Sequence, residues 1–434
     1  MSNRLSQPIL LALLTTLVGL YFVQLATPLR LNKDAIELLS MADSARRGTG
    51  FHFYGEVTQF PPGYPALIAA LDFFGQATPP VFVAVNYLFL AVALGLLCGM
   101  LRKDLDLRPE LAVLCCCLTL LSWVMIKHAT LPLTDIPFLG VSTFAVWAMR
   151  TAEDRPPTQR TAALLAAWFA CLLALTFRRL GIALFPALLW VFLSPGAGNW
   201  RAFLSIRRLI ALAASGAVTV YTIVQTSTAE DALAIYHEGG FWTVLSQIVT
   251  FRLLEWGEIA LNMPERFVPG SRAVLPAAGL FALVCVGAAM WTQRHHLSAL
   301  KIYAVSCVAI LTIWPYHDSR FWIPVLPLCI GFVTAGAQRV LRTLPARAFV
   351  AAYLAVFCIA GCGALAWTTR ISFSADSFPR MYGDGRLRAT YEVAFARCPD
   401  EAPRSGVIPA AMDVLRRFEP RTAAARCGSG DVGR

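Results

Sequence analysis

The chain has 434 residues, of which 57% are hydrophobic and only 15% charged, with a mean hydropathy of +0.60. An ordinary soluble domain carries about 25% charged residues, so a water-soluble globule is excluded. The net charge of +11 does not point to nucleic acid, because the basic residues concentrate in short connections between apolar runs, the pattern that orients membrane helices.

The first apolar run, Ile9 to Leu29, follows Arg4. It exceeds the roughly 7–15-residue core of a signal peptide and lacks a small-x-small cleavage site, so it is expected to remain as a first span. Further runs fall at 79–101, 108–127, 132–149, 162–177, 181–194, 208–225, 272–292, 300–315, 321–337 and 348–368. Crossing about 30 Å of hydrocarbon takes about 20 apolar residues, and each segment in lipid must satisfy its own backbone hydrogen bonds, which requires helix. The expected fold class is an all-α polytopic membrane protein with about eleven transmembrane helices. Ala66 to Phe74 is too short to cross and reads as a helix at the interface.

Placing the N-terminus in the cytoplasm puts Arg102-Lys103, Arg155 with Arg160, Arg201 with Arg207-Arg208, Arg294 with Lys301, and Arg339 with Arg342 and Arg347 on one side. That side satisfies the positive-inside rule. The outward side then receives loop 30–78, loop 226–271 and a tail from 369 to 434. It also receives most acids outside spans: Asp34, Glu37, Asp43, Glu56, Glu230, Asp231, Glu238 and Glu255. The chain is thus expected to hold a membrane domain over 1–368 and an outward tail over 369–434. Within 226–271, Phe241-Trp242-Thr243-Val244-Leu245 and Arg252-Leu253-Leu254-Glu255-Trp256 suggest an amphipathic helix at the interface. The tail, with its Pro, Gly and Arg, reads as a small soluble appendage or a partly disordered one. Cys115, Cys116 and Cys117 are consecutive in an apolar run and have no metal-ligand spacing. Cys398 and Cys427, in the tail, stay open between a disulfide and two free thiols.

Candidate chemistry gathers on the outward side. Asp34 lies just past the first span, where an ionisable group is costly unless used or paired. It is a candidate general base; the alternative is a solvated acid paired with Lys33. Phe60-Pro61-Pro62-Gly63-Tyr64-Pro65 is a stiff turn suited to holding Glu56 and Tyr64 over a cavity, or to anchoring a tyrosine at the interface. Asp135, after Leu133-Thr134, reads either as an acceptor ligand or second carboxylate, or as a helix N-cap. Arg178-Arg179 stands against the positive-inside trend, which a phosphate partner explains and so does snorkelling to headgroups. Arg320 invites the same phosphate reading, with an Asp318–Arg320 ion pair as the alternative. His295-His296 belongs to a cytoplasmic connection, and His52 and His237 are isolated. No phosphate-cradling glycine loop is present in the sequence, so ATP is no obvious fuel.

In order along the chain, these features resemble the GT-C superfamily of polytopic glycosyltransferases, notably protein O-mannosyltransferases and aminoarabinose lipid A transferases. The matching features are Asp34, the Leu39-Ser40-Met41-Ala42 helix, Gly48 with Gly50, the Pro61 to Pro65 turn, and Leu133-Thr134-Asp135. Phe177-Arg178-Arg179-Leu180-Gly181 and Arg320-Phe321-Trp322-Ile323-Pro324-Val325-Leu326-Pro327 complete the set, which runs from residue 8 to about 340. The resemblance implies a sugar donor on a polyprenyl phosphate, transfer on the outward, periplasmic face with inversion, and a multi-pass protein of the inner (plasma) membrane. Asp34 would be the base, Glu56, Tyr64 and Asp135 would bind substrate or acceptor, and Arg178, Arg179 and Arg320 would hold the lipid phosphate. The acceptor is a glycan, lipid or protein. No cofactor is assigned and no metal ligand is named, with a divalent cation left open. A transporter or lipid flippase is the alternative. It predicts ionisable residues at span centres and broken helices, whereas these spans are nearly charge-free at their centres.

Overall fold

In the computed structural model the described residues are 3–58, 60–156, 159–193, 238–294, 297–340, 344–374, 378–382, 385–395 and 406–422. Helix α1 (Asn3–Val23) leads through a 3-10 turn to α2 (Lys33–Arg46), then to strands β1 (His52–Phe53) and β2 (Glu56–Val57), and to α3 (Gly63–Phe73). There follow α4 (Pro79–Asp104), α5 (Pro109–Leu121), α6 (Trp123–Ala129), α7 (Asp135–Asp154), α8 (Arg160–Phe177) and α9 (Leu184–Leu193). The remaining helices are α10 (Phe241–Leu261), α11 (Ser271–Thr292), α12 (Ala299–Ile313), α13 (Leu326–Val340), α14 (Leu344–Phe373), α15 (Phe378–Tyr382), α16 (Gly385–Phe395) and α17 (Pro409–Phe418).

The chain is an all-α polytopic membrane protein. Among the described residues five helical stretches are long and apolar enough to cross a bilayer: Pro8–Ala26, Pro79–Asp104, Arg160–Phe177, Ser271–Thr292 and Arg347–Phe373. The bent pair α5 and α6 adds a sixth if it is one span. The runs expected at 181–194, 300–315 and 321–337 coincide with shorter apolar helices, and the one at 208–225 lies outside the described residues.

Contacts divide the chain into two units. The larger comprises Met1–Thr15, Phe89–Met125 and Asp135–Cys362. Here α7 lies along α8, and Gly140 faces Phe89 so closely that a Cβ would sit 2.6 Å from its ring. Helix α10, expected at the interface, packs along α11 through Gly257 against Leu275 and Gly279 against Leu253. Small residues let backbones approach in this way where lipid supplies no hydrophobic drive between helices. The run expected as one span at 108–127 bends by 62° at Ser122. Asn262, left-handed at the end of α10 and 1% exposed, accepts from Trp123 N at 2.7 Å and donates to the carbonyls of Leu121 and Phe357, each at 2.9 Å. It satisfies the backbone groups that the break would otherwise orphan in an apolar interior. At the far end of α7, Arg150 pairs with Asp104 at 2.6 Å and with Glu153.

The smaller unit comprises Thr16–Leu88, Ile126–Thr134 and Gly363–Arg434. Helices α2 and α3 pack together, with α17 against α2 and α16 against α17. The described part of the tail thus folds with the first loop. Asn86 donates to the carbonyls of Ala129 and Leu131 at 3.1 and 2.7 Å.

Candidate active site

Asn32 caps α2 by accepting from Ala35 N at 2.8 Å, a favoured N-cap arrangement. Asp34 is then in the first helical turn, partly buried, where the helix dipole favours a carboxylate. Glu37 stands three residues on, on the same helix face. Burial raises its pKa above the ordinary carboxylate value, the neighbouring Asp34 charge adds to the rise, and Lys33 opposes it. Sequence reasoning quoted Glu37 without a role; the Asp-x-x-Glu spacing was the available signal.

Strands β1 and β2 pair His52 with Val57 and Phe53 with Glu56, leaving the two-residue turn Tyr54-Gly55 with φ of 50° and 85°. Two positive φ values match a hairpin turn twisted to suit its strands. Glu56 is exposed on β2. Tyr64 enters the first turn of α3 and is fully buried, its hydroxyl without a hydrogen-bond partner among the described residues. Burial raises its pKa well above the ordinary phenol value.

A second constellation lies in the larger unit. Asp135 is the first residue of α7, 2% exposed, and forms an ion pair with Arg178. Arg178 follows α8 in an extended conformation (φ −149°, ψ 141°) and precedes the 3-10 turn Arg179–Ala183. The turn leaves Arg179 partly buried. Arg320 pairs with Asp318 at 2.9 Å, and the same aspartate accepts from Arg320 N at 3.0 Å. Both guanidiniums meet one ring: Arg178 lies 5.5 Å and Arg320 5.4 Å from the Phe321 centroid, within cation–π range. A guanidinium carries five donors in a fixed fork that suits planar oxyanions.

The segment that presents Arg320 is fixed by α10. Arg252 donates to the carbonyls of Trp314, at 3.1 Å, and Tyr316, and to Glu255 at 2.6 Å. Glu255, 0% exposed, accepts from Asp318 N at 2.8 Å and from Trp322 Nε1 at 2.7 Å. Ser319 donates to Glu258. Sequence reasoning placed Arg252 and Glu255 on an amphipathic helix but missed this role; their i,i+3 spacing was the signal.

The structure therefore brings Asp135, Arg178 and Arg320 together around Phe321 in one unit, while Asp34, Glu56 and Tyr64 belong to the other. His52 is half-buried on β1; His237, His295, His296, Cys398 and Cys427 lie outside the described residues. Among the described residues no three His, Cys, Asp or Glu side chains converge as a group that could hold a metal ion.

No family model matches the sequence, and no curated protein matches it significantly. Two solved structures share the fold over most of the chain. One is ArnT from Cupriavidus metallidurans bound to undecaprenyl phosphate, 13% identical, with a TM-score of 0.52 over 94% of this chain and 84% of that one. The other is the same protein in the apo state, 16% identical, with a TM-score of 0.51 over 98% and 75%. The chain accordingly has the polytopic fold seen in these ArnT structures.

Proposed function

We propose that the protein is an integral-membrane glycosyltransferase that takes a sugar from a polyprenyl-phosphate donor and transfers it to an acceptor on the outward face of the inner membrane, with the N-terminus cytoplasmic. The reading rests above all on the fold shared with ArnT, a protein seen with undecaprenyl phosphate. The paired arginines around Phe321 support it at the level of chemistry.

In this reading the acceptor's hydroxyl or amine attacks the anomeric carbon from the face opposite the phosphate. The new bond forms as the carbon–oxygen bond to phosphate breaks, and the leaving polyprenyl phosphate keeps the electron pair. Configuration inverts. Asp34 takes the acceptor's proton as general base, and Glu56, Tyr64 and Asp135 contact the acceptor or sugar. Arg178, Arg179 and Arg320 neutralise the charge that grows on the departing phosphate, the contribution expected of donors aimed at developing charge.

The test uses purified full-length protein in lipid nanodiscs with a panel of undecaprenyl-phosphate-linked pentoses and hexoses, aminoarabinose included, and membrane extract as acceptor. Release of free undecaprenyl phosphate, lost in Asp34→Asn, is the expected result. No release from any donor would leave the transferase reading without support and favour the transporter alternative.

A further inference from the structure

The backbone just before Asp34 is held by side chains from the far end of the chain. Tyr391 on α16, 0% exposed, donates its hydroxyl hydrogen to Leu29 O at 2.9 Å and accepts from Leu31 N at 2.8 Å. Glu419, 1% exposed and one residue past α17, accepts from Leu29 N at 2.6 Å. Tyr382 at the end of α15 donates to Leu31 O at 2.9 Å. The amide and carbonyl of both Leu29 and Leu31 are thus satisfied by tail side chains. That is unusual for a loop, whose backbone groups ordinarily turn to water.

Other bonds extend the grip. Buried Arg30, with no carboxylate partner among the described ion pairs, donates to Thr27 Oγ1, Thr368 O and Ser372 Oγ, each at 2.9 Å, and lies over the Tyr382 ring. Arg421 donates to Ala26 O at 3.0 Å. Arg417 bridges α2 and α3 through Asp43 at 3.3 Å and Asp72 at 2.6 Å. The clasp has its own core, since Phe378 stacks on Tyr382 and meets Tyr391 and Phe395 edge-on or tilted.

Leu31 precedes the Asn32 cap, and Asp34 is two residues beyond that cap. Fixing residues 29 and 31 fixes the direction in which α2 leaves the loop, and so where the Asp34 carboxylate stands. We infer that α15, α16 and residues 406–422 form the positioning element of the Asp34 loop, with Tyr391 and Glu419 as positioning residues. The inference rests on the proposed role of Asp34. A misplacement of about 1 Å can cost on the order of 100-fold in rate, so a hydroxyl that touches no substrate can control turnover.

The experiment compares Tyr391→Phe and Glu419→Gln, which keep side-chain volume, with the full-length wild type in nanodiscs. Amide exchange over residues 27–46 should quicken in both variants; unchanged protection overturns the clasp. Turnover of the undecaprenyl-phosphate sugar that the wild type consumes should fall about 10- to 100-fold with little change in donor KM. Quickened exchange with wild-type kcat overturns positioning. Adding Asp34→Asn to Tyr391→Phe should cost nothing beyond Asp34→Asn alone, because residues acting through one group are not additive. Full activity in Asp34→Asn by itself would sink the assignment of Asp34 while leaving the exchange result to judge the clasp.

Discussion

Arg178 and Arg320 come from distant parts of the sequence and set their guanidiniums 5.5 and 5.4 Å from the centroid of one ring, that of Phe321. Each cation has its own aspartate, Asp135 for Arg178 and Asp318 for Arg320. The quadrupole of the Phe321 ring adds to that compensation. In the proposed transferase these two guanidiniums are the groups that meet the lipid phosphate.

Replacing either arginine with glutamine should therefore weaken binding of undecaprenyl phosphate. A charge-assisted hydrogen bond contributes about 1.5–3 kcal/mol, so the dissociation constant should rise roughly 10- to 100-fold. Binding of labelled undecaprenyl phosphate to nanodisc-held protein measures it. Wild-type affinity in both variants would return Arg178 to headgroup snorkelling and Arg320 to a plain ion pair with Asp318.

The Asp135–Arg178 pair is itself mostly buried, with side-chain exposures of 3% and 15%. Removing one partner of a buried pair leaves an uncompensated charge and costs about 3–5 kcal/mol, whereas replacing both with apolar residues is often tolerated. Asp135→Ala should lower the thermal midpoint clearly, and Asp135→Leu with Arg178→Met should recover most of the loss. Equal losses in single and double variants would mean that the two side chains do not depend on one another.

Much of the framework was legible in the sequence, because apolar runs of span length admit one secondary structure in lipid. Asp135 and Arg178 were both singled out, Asp135 for opening a helix and Arg178 for standing on the wrong side. Their pairing was not legible, since it joins residues on different helices. What the tail side chains do was not legible in its composition: Tyr382, Tyr391 and Glu419 hydrogen-bond backbone 351 to 390 residues away, a relationship without local period. The bend at Ser122 was hidden for the same reason, because the partner that satisfies it is Asn262.

Glu37 gives a pH dependence with a definite sign. Folding raises its pKa, through burial first and the Asp34 charge second. Between the unfolded and folded values the folded chain keeps a proton that the unfolded chain has lost, so stability falls as pH rises through that window. Glu37→Gln removes this loss. In thermal melts from about pH 4 to about pH 8, the variant should gain on the wild type through the window and then hold a constant lead. A lead that shrinks as pH rises would contradict the raised pKa.

Glu255 supports the arginine group from behind. Its carboxylate is fully buried and meets Arg252, Asp318 N and Trp322 Nε1, all within 2.8 Å. It therefore joins α10 to both sides of Arg320. Glu255→Gln keeps the shape but leaves the Arg252 charge buried without its counter-ion, a loss of about 3–5 kcal/mol. The same change turns one carboxylate oxygen into an amide nitrogen, which cannot accept from Trp322 or Asp318 N. Thermal stability should drop, and amide exchange across 314–322 should quicken more than across α12. If exchange rises equally in both segments, Glu255 holds the fold in general and not the segment that carries Arg320.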